Sequence, residues 1–262
     1  MRTDLSQEHA LLTLLENTWP PAFRHRVGPW ALGEGQGGGR RVSALTAVEA
    51  WQPDDILLAE FAAQALDQPP VFMIRAEDGA LDQALSDEGY HMGQTVEFWA
   101  GDCAALAEGL PNDGDLIEDP VTGDGVIRHW PPLAMADEIW QECGISEARR
   151  MVMARVKGPK AAILGRSQNQ AAGVAFTAIA ACGENDEFAE KCAMIHALEV
   201  RPSLRRLGTA TRIIRFSAAW ALNQGAKQIF LVVDARNTAA RALYASLGMT
   251  AVGSYHYREK NK

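Results

Sequence analysis

The stretch Glu199-Val200-Arg201-Pro202-Ser203-Leu204-Arg205-Arg206-Leu207-Gly208-Thr209-Ala210 decides how the chain is read. It joins a strand-like run, Ala193–Val200, to an amphipathic helix from Thr209 to Asn223. Ile213, Ile214, Ser217, Ala218, Ala221 and Leu222 fall on one face of that helix, the spacing of a helix packed on one side. The first N–H groups of a helix have no internal partner and lie at the positive end of its dipole. A diphosphate placed there gains several backbone hydrogen bonds, and glycine lets it approach closely. Arg205 and Arg206 add charge-assisted contacts. Two other phosphate loops are excluded, because the stretch contains neither Gly-Lys-Ser/Thr nor Gly-x-Gly-x-x-Gly. On local chemistry alone, a basic turn before an ordinary helix is the competing reading.

Downstream, Gly225 is placed to cap the helix. The uninterrupted apolar run Ile229–Val233 predicts a strand covered on both faces. Ala240, Leu243, Tyr244 and Leu247 then repeat at helical spacing up to Gly248, and a last strand runs Met249–Tyr257. Upstream, a helix spans about Ala136 to Val156. It is followed by a hairpin, Ala161–Gly165 and Gly173–Ala181, turning through Arg166–Gln170. The loop with Glu184, Asp186, Glu187 and Glu190 reads as solvated.

The N-terminal half begins with a helix, Ser6–Asn17, stopped by Trp19-Pro20-Pro21. Two strand-like runs follow, Val27–Leu32 and Arg41–Val48, with the glycine tract at 33–39 as a hairpin tip between them. Pro53-Asp54-Asp55 opens an alanine-rich helix through Leu66, and Val71–Arg75 is a strand. A helix with Leu81, Ala84 and Leu85, then Gly89 and a strand to Trp99, repeats the C-terminal strand–helix–glycine–strand order. The expected fold is α/β and duplicated. Its sheet is mixed, mostly antiparallel and splayed, and is flanked by helices. Residues 1–108 form a degenerate N-terminal copy, 109–132 a Gly/Asp/Pro-rich linker, and 133–262 the second domain.

Composition bounds the function. Thirty-three acidic against 25 basic residues give a formal charge of −8 over 262 residues. Such a chain is a poor general binder of nucleic acid or anionic membrane. No apolar run approaches the roughly 18 residues of a membrane span. The N-terminus carries Asp4 and Glu8 and lacks a basic-then-apolar signal pattern. Cys103, Cys143, Cys182 and Cys192 show no Cys-x-x-Cys spacing, so reduced thiols in a cytoplasmic protein are expected. His25, His91, His129 and His256 are scattered and suggest no metal site.

Arg205-x-x-Gly208-x-Ala210 resembles the Arg/Gln-x-x-Gly-x-Gly/Ala motif of the GNAT superfamily of acetyl-CoA-dependent N-acetyltransferases. Asn237 and Leu243-Tyr244-x-x-Leu247-Gly248-Met249 are similar to that family's second signature, with Met249 where an aromatic residue is usual. The resemblance covers roughly 133–262 and implies acetyl-CoA as cosubstrate. Arg205, Arg206, Leu207, Gly208, Thr209 and Ala210 would cradle its pyrophosphate. The backbone of Leu198 and Val200 would pair with the pantetheine arm, and Asn237 would touch the cofactor.

The resemblance also implies direct attack of an amine on the thioester. Tyr244 is then the acid that protonates the leaving sulfur, although a core tyrosine would occupy the same helical position. Val200 N–H stabilises the carbonyl oxygen. His196 is the base by similarity to family members with a histidine on this strand, and Glu199 is its rival; each has the plain alternative of a strand residue. Tyr255 and Tyr257 border the acceptor or pack in the sheet. The N-terminal copy lacks the loop motif, carries Pro53-Asp54-Asp55 in about that place, and is expected to bind no coenzyme A. The implied function is acetylation of a small primary amine. Alternatives are a protein Nα- or lysine acetyltransferase, or a non-catalytic acyl-CoA-binding module. A homodimer is left open.

Overall fold

The computed structural model describes residues 5–111, 116–118, 122–182 and 190–260. The order begins α1 (Leu5–Thr18), β1 (Phe23–Val27), β2 (Trp30–Glu34), α2 (Arg40–Ser43), β3 (Leu45–Ala47), α3 (Asp55–Ala65) and β4 (Val71–Ile74). It continues α4 (Gly79–Asp87), β5 (His91–Asp102), α5 (Cys103–Ala107), β6 (Leu116–Glu118), β7 (Gly125–His129), α6 (Ala134–Glu142) and α7 (Glu147–Arg155). It closes with β8 (Lys160–Ser167), β9 (Gln170–Ala181), β10 (Lys191–Val200), α8 (Thr209–Asn223), β11 (Gln228–Asp234), α9 (Thr238–Ser246) and β12 (Thr250–Glu259).

All strands join one 12-stranded open sheet, ordered β1-β2-β3-β4-β12-β5-β11-β10-β9-β8-β7-β6. Pairing is antiparallel except β3 with β4 and β10 with β11. The same arrangement therefore occurs twice. β1–β2–β3 is a meander whose last strand runs parallel to β4 across α3, and β8–β9–β10 does the same with β11 across α8. Each set continues as strand–helix–strand, with Gly89 and Gly248 at φ 80° and 77° after the helices. The final strands are exchanged. β5 from the first half pairs with β11, and β12 from the second pairs with β4.

Period-2 alternation buries both faces of the second half. Ala161, Ile163 and Ala175 pack under α8, while Ala162, Leu164, Val174 and Phe176 pack against α6 and α7. α1 covers the central strands through Leu11, Leu14 and Leu15 against Met194, Phe230, Tyr255 and Tyr257. α3 and α4 cover the first half through Ile56, Ala59, Leu81 and Leu85.

Four readings are corrected here. Val27–Leu32 is not one strand, because Gly28 (φ 56°) and Pro29 turn β1 into β2. The glycine tract 33–39 leads from β2 into the short helix α2, not into a strand. The span Ala136–Val156 is two helices, broken where Gly144 takes φ 84° and Ser146 caps α7 by accepting from Arg149 N–H. The span 109–132 is not wholly a linker, because β7 continues the sheet by pairing with β8 from Gly125↔Arg166 to His129↔Ala162. The loop residues Glu184, Asp186 and Glu187 lie outside the described residues.

Candidate active site

β10 and β11 pair only from Cys192↔Gln228 to Ile195↔Leu231. Beyond that point β10 acquires one extra residue against β9, since His196 faces Phe176 but Glu199 faces Val174. Ala197 sits in the bulge at φ 47°, a left-handed value costly for a residue with a Cβ. Trp140 Nε1 donates to the Ala197 carbonyl at 2.8 Å and holds the bulge in place. β10 thus bends away from β11, and a cleft opens between them.

On the α8 side the cleft is a cavity of about 440 Å³. Leu198, Glu199 and Val200 form its strand wall; Arg205, Arg206, Gly208, Thr209 and Ala210 form its loop wall; Asn237 and Tyr244 close it from α9. Leu207 stands beside it, exposed, its carbonyl accepting from Arg212 Nη1 at 3.1 Å. Gly208 adopts φ 79°, which turns the chain into α8. The N–H groups of Arg206 through Thr211 have no protein acceptor among the described residues, and all of these residues except Leu207 line the cavity, a donor set suited to an anion at a helix N-terminus. Gly173 brings β9 close below, where a Cβ would lie 2.7 Å from the Glu199 carbonyl oxygen. Arg212 anchors the loop, pairing with Asp124 at 3.0 Å and donating to the Arg166 carbonyl at 3.2 Å.

The side chains differ in state. Tyr244 is buried and meets Trp99 edge-on, and its phenol is pushed up to about 12 by burial and then by the Glu199 charge. It therefore carries its proton throughout the neutral range. Glu199 is raised by burial, against the pull of Arg205 and Arg149. Asn237 caps α9, its Oδ1 accepting from Ala240 N–H at 3.1 Å, which leaves its amide nitrogen to donate.

His196 stands elsewhere. It faces α1, is 3% exposed, and lines no part of the cavity. Arg41 Nη1 lies 3.2 Å from Nδ1 and Thr18 Oγ1 lies 2.9 Å from Nε2. A guanidinium only donates, so Nδ1 is the acceptor and Nε2 carries the proton. Thr18 passes the chain on by donating to the Leu14 carbonyl at 2.7 Å. Burial and the charges of Arg41 and Arg149 hold the ring well below the usual histidine range, hence neutral. Its only lone pair is engaged, so the expectation of His196 as base is corrected. The extra residue at Ala197 turns Leu198 and Glu199 to the cleft and leaves His196 in the core.

On the opposite face, a second cavity of about 270 Å³ lies over the end of β11, walled by Val232, Val233 and Asp234 together with Arg40, Arg41, Arg149 and Tyr257. A groove of about 840 Å³ under α1, between the two halves, shares Trp19 and Arg41 with it.

Residues 129–249 match the model of the acetyltransferase (GNAT) family. They form a GNAT acetyltransferase domain. The chain is an acyltransferase. It is 26% identical over 250 residues to the uncharacterized N-acetyltransferase YobR of Bacillus subtilis, covering 93% of this chain and 94% of that protein. Its fold is similar to that of a GCN5-related N-acetyltransferase from Kribbella flavida, with TM-score 0.65 at 17% identity over 99% and 98% of the two chains. A tandem GNAT protein from the clavulanic acid biosynthesis pathway aligns with TM-score 0.60 at 14% identity over 93% and 85%. No helix among the described residues is long and apolar enough to cross a membrane, and no group of three or more His, Cys, Asp or Glu side chains there could hold a metal. Within the GNAT domain, the sequence reading missed Arg212 and Arg149. The spacing of Arg212 in the first turn of α8 was visible; Arg149 carries no local signal.

Proposed function

We propose that the chain moves an acetyl group from acetyl-CoA to an amine. The observation that supports this most is the meeting of a run of N–H groups without protein acceptors, a protonated Tyr244 and a half-buried Glu199 at one cleft. The N–H groups of Arg206 to Thr211 and the Arg205 and Arg206 guanidiniums fit a diphosphate in charge and donor count. Leu198 and Val200 offer backbone to an extended arm on the side β11 has left, and Val200 N–H is the candidate donor to the carbonyl oxygen. Asn237 contributes its amide nitrogen. When bound, the thioester supplies the activated acyl group. Glu199 takes a proton from the attacking nitrogen as the C–N bond forms, and Tyr244 gives its proton to sulfur as the C–S bond breaks. Water exchange restores both groups.

The first half takes a supporting part in this reading. Its equivalent connection, before α3, is closed by its own carboxylate: Asp55 Oδ2 accepts from Gln52 N–H at 2.7 Å. A second negative charge there repels a diphosphate.

Calorimetric titration with acetyl-CoA, in parallel with Gly208→Asp, tests the proposal. Binding near one equivalent, lost in the variant, is the expected result. Two equivalents overturn the supporting role of the first half, and no binding at millimolar ligand overturns the cofactor reading.

A further inference from the structure

The cavity over β11 holds more positive charge than its own carboxylates answer. Of its three arginines, Arg40 pairs with Glu259 at 3.0 Å and leans on the Tyr257 ring. Asp234, the carboxylate in its wall, is already gripped by Arg236 through both side chain and backbone. Arg41 and Arg149 remain. Among the described residues neither has a carboxylate within 4.0 Å. Arg41 lies over the Trp19 ring and donates to His196, while its Nε is buried without a partner. Arg149 feels both burial and the Arg41 charge as costs to its own. Glu199 is the carboxylate whose field favours the Arg149 charge, beside a lesser contribution from the Tyr257 phenol, and Glu199 shares that field with Arg205.

Two half-buried like charges are unfavourable unless something negative arrives between them. The fold nevertheless holds one of them deliberately. His196 accepts from Arg41, Thr18 accepts from His196, and the α1 carbonyl of Leu14 closes the chain. His196 is thus a positioning residue for Arg41.

We infer that the acceptor is a small amine bearing an anionic group, carboxylate or phosphate, which Arg41 and Arg149 bind with its amino nitrogen directed toward Glu199 through the gap where β10 and β11 no longer pair. This rests on the acetyl-transfer reading above. A cavity of about 270 Å³ suits a molecule of amino-acid size. A protein N-terminus or lysine side chain carries no anionic group of its own beside the amine.

The test is binding to the acetyl-CoA-loaded protein, followed by calorimetry and by release of free thiol. The probes are the common amino acids, their carboxamides and ethanolamine phosphate. At least one anionic probe is expected to bind and turn over roughly ten- to hundredfold better than its neutral counterpart. Arg149→Gln should erase that preference and leave acetyl-CoA affinity unchanged, while Arg149→Lys keeps part of it. Preference for acids identifies a carboxylate; preference for ethanolamine phosphate identifies a phosphate. Equal or better use of the amides, or no binding by any anionic probe, overturns the inference. Acetyl-CoA titration of the same samples separates that failure from failure of the cofactor reading.

Discussion

Glu199 and Tyr244 are raised by the same burial, and the consequences differ. A base must be ionised to act, so the rate rises with pH through the Glu199 pKa, and burial moves that rise above the ordinary carboxylate range. Glu199→Gln should remove the rising limb and cost about 10²- to 10⁴-fold in kcat, read from kcat/KM between about pH 4 and about pH 9. Tyr244 is protonated well past neutrality, so Tyr244→Phe should lower kcat by about tenfold or more while acetyl-CoA affinity holds. His196 answers to pH through stability. It is neutral in the fold, whereas the unfolded chain takes up a proton below about pH 6.5. Stability is therefore complete above that pH and falls as pH drops below it, by up to about 1.4 kcal/mol per pH unit. Urea midpoints near pH 5 and pH 7 should differ more in the wild type than in His196→Gln; equal differences refute the neutral core histidine.

The loop before α8 contains two left-handed residues, Arg206 at φ 66° and Gly208 at φ 79°, the second at the turn into the helix. A Cβ at Gly208, φ 79°, would lie 3.2 Å from Arg212 Nη1, the group that ties the loop to Asp124. Gly208→Ala should cost about 1 kcal/mol of stability. It should weaken acetyl-CoA binding by roughly tenfold or more, because the cradle loses its backbone path. Thermal melting beside calorimetry separates the two effects. This element was legible in the sequence because its signals are short-range: a glycine, two arginines and a helical stripe within a few residues of one another. The break at Gly144 was hidden because Ile139, Trp140, Val152 and Met153 read as one continuing apolar pattern. β7 was hidden for a different reason. Its five residues have little periodicity, and β8 recruits them by offering an unpaired edge. His196 misled because β10 is apolar on both faces, so alternation cannot tell core from cleft, and the bulge that decides it has no sequence mark. The cavity arginines come from segments more than a hundred residues apart, and only the tertiary fold unites them.

The two halves are interlocked, and this governs how the molecule folds. The family match stops at residue 249, before β12, and leaves out β5, the strand that lies between β11 and β12. β5 pairs with every residue of β11 from Gln228 to Asp234, and it pairs with β12 along most of its length. Arg258 on β12 in turn binds Asp82 on α4 at 2.7 Å, and burial of that pair against Tyr90 ties the last strand to the first half. A fragment of residues 133–262 would expose both edges of that gap, with Leu231, Val233 and Phe230 left uncovered by their partner strand. Unpaired apolar edges aggregate. The 133–262 fragment alone should therefore be insoluble or unfolded and bind no acetyl-CoA, whereas co-expression with 1–132 should restore a soluble complex that binds it. The intact chain should melt in one transition, because neither half completes its sheet alone. A soluble 133–262 fragment with its own cooperative melt and normal acetyl-CoA affinity would show that the exchanged strands are dispensable, and that the first half is an accessory to an independently folding enzyme.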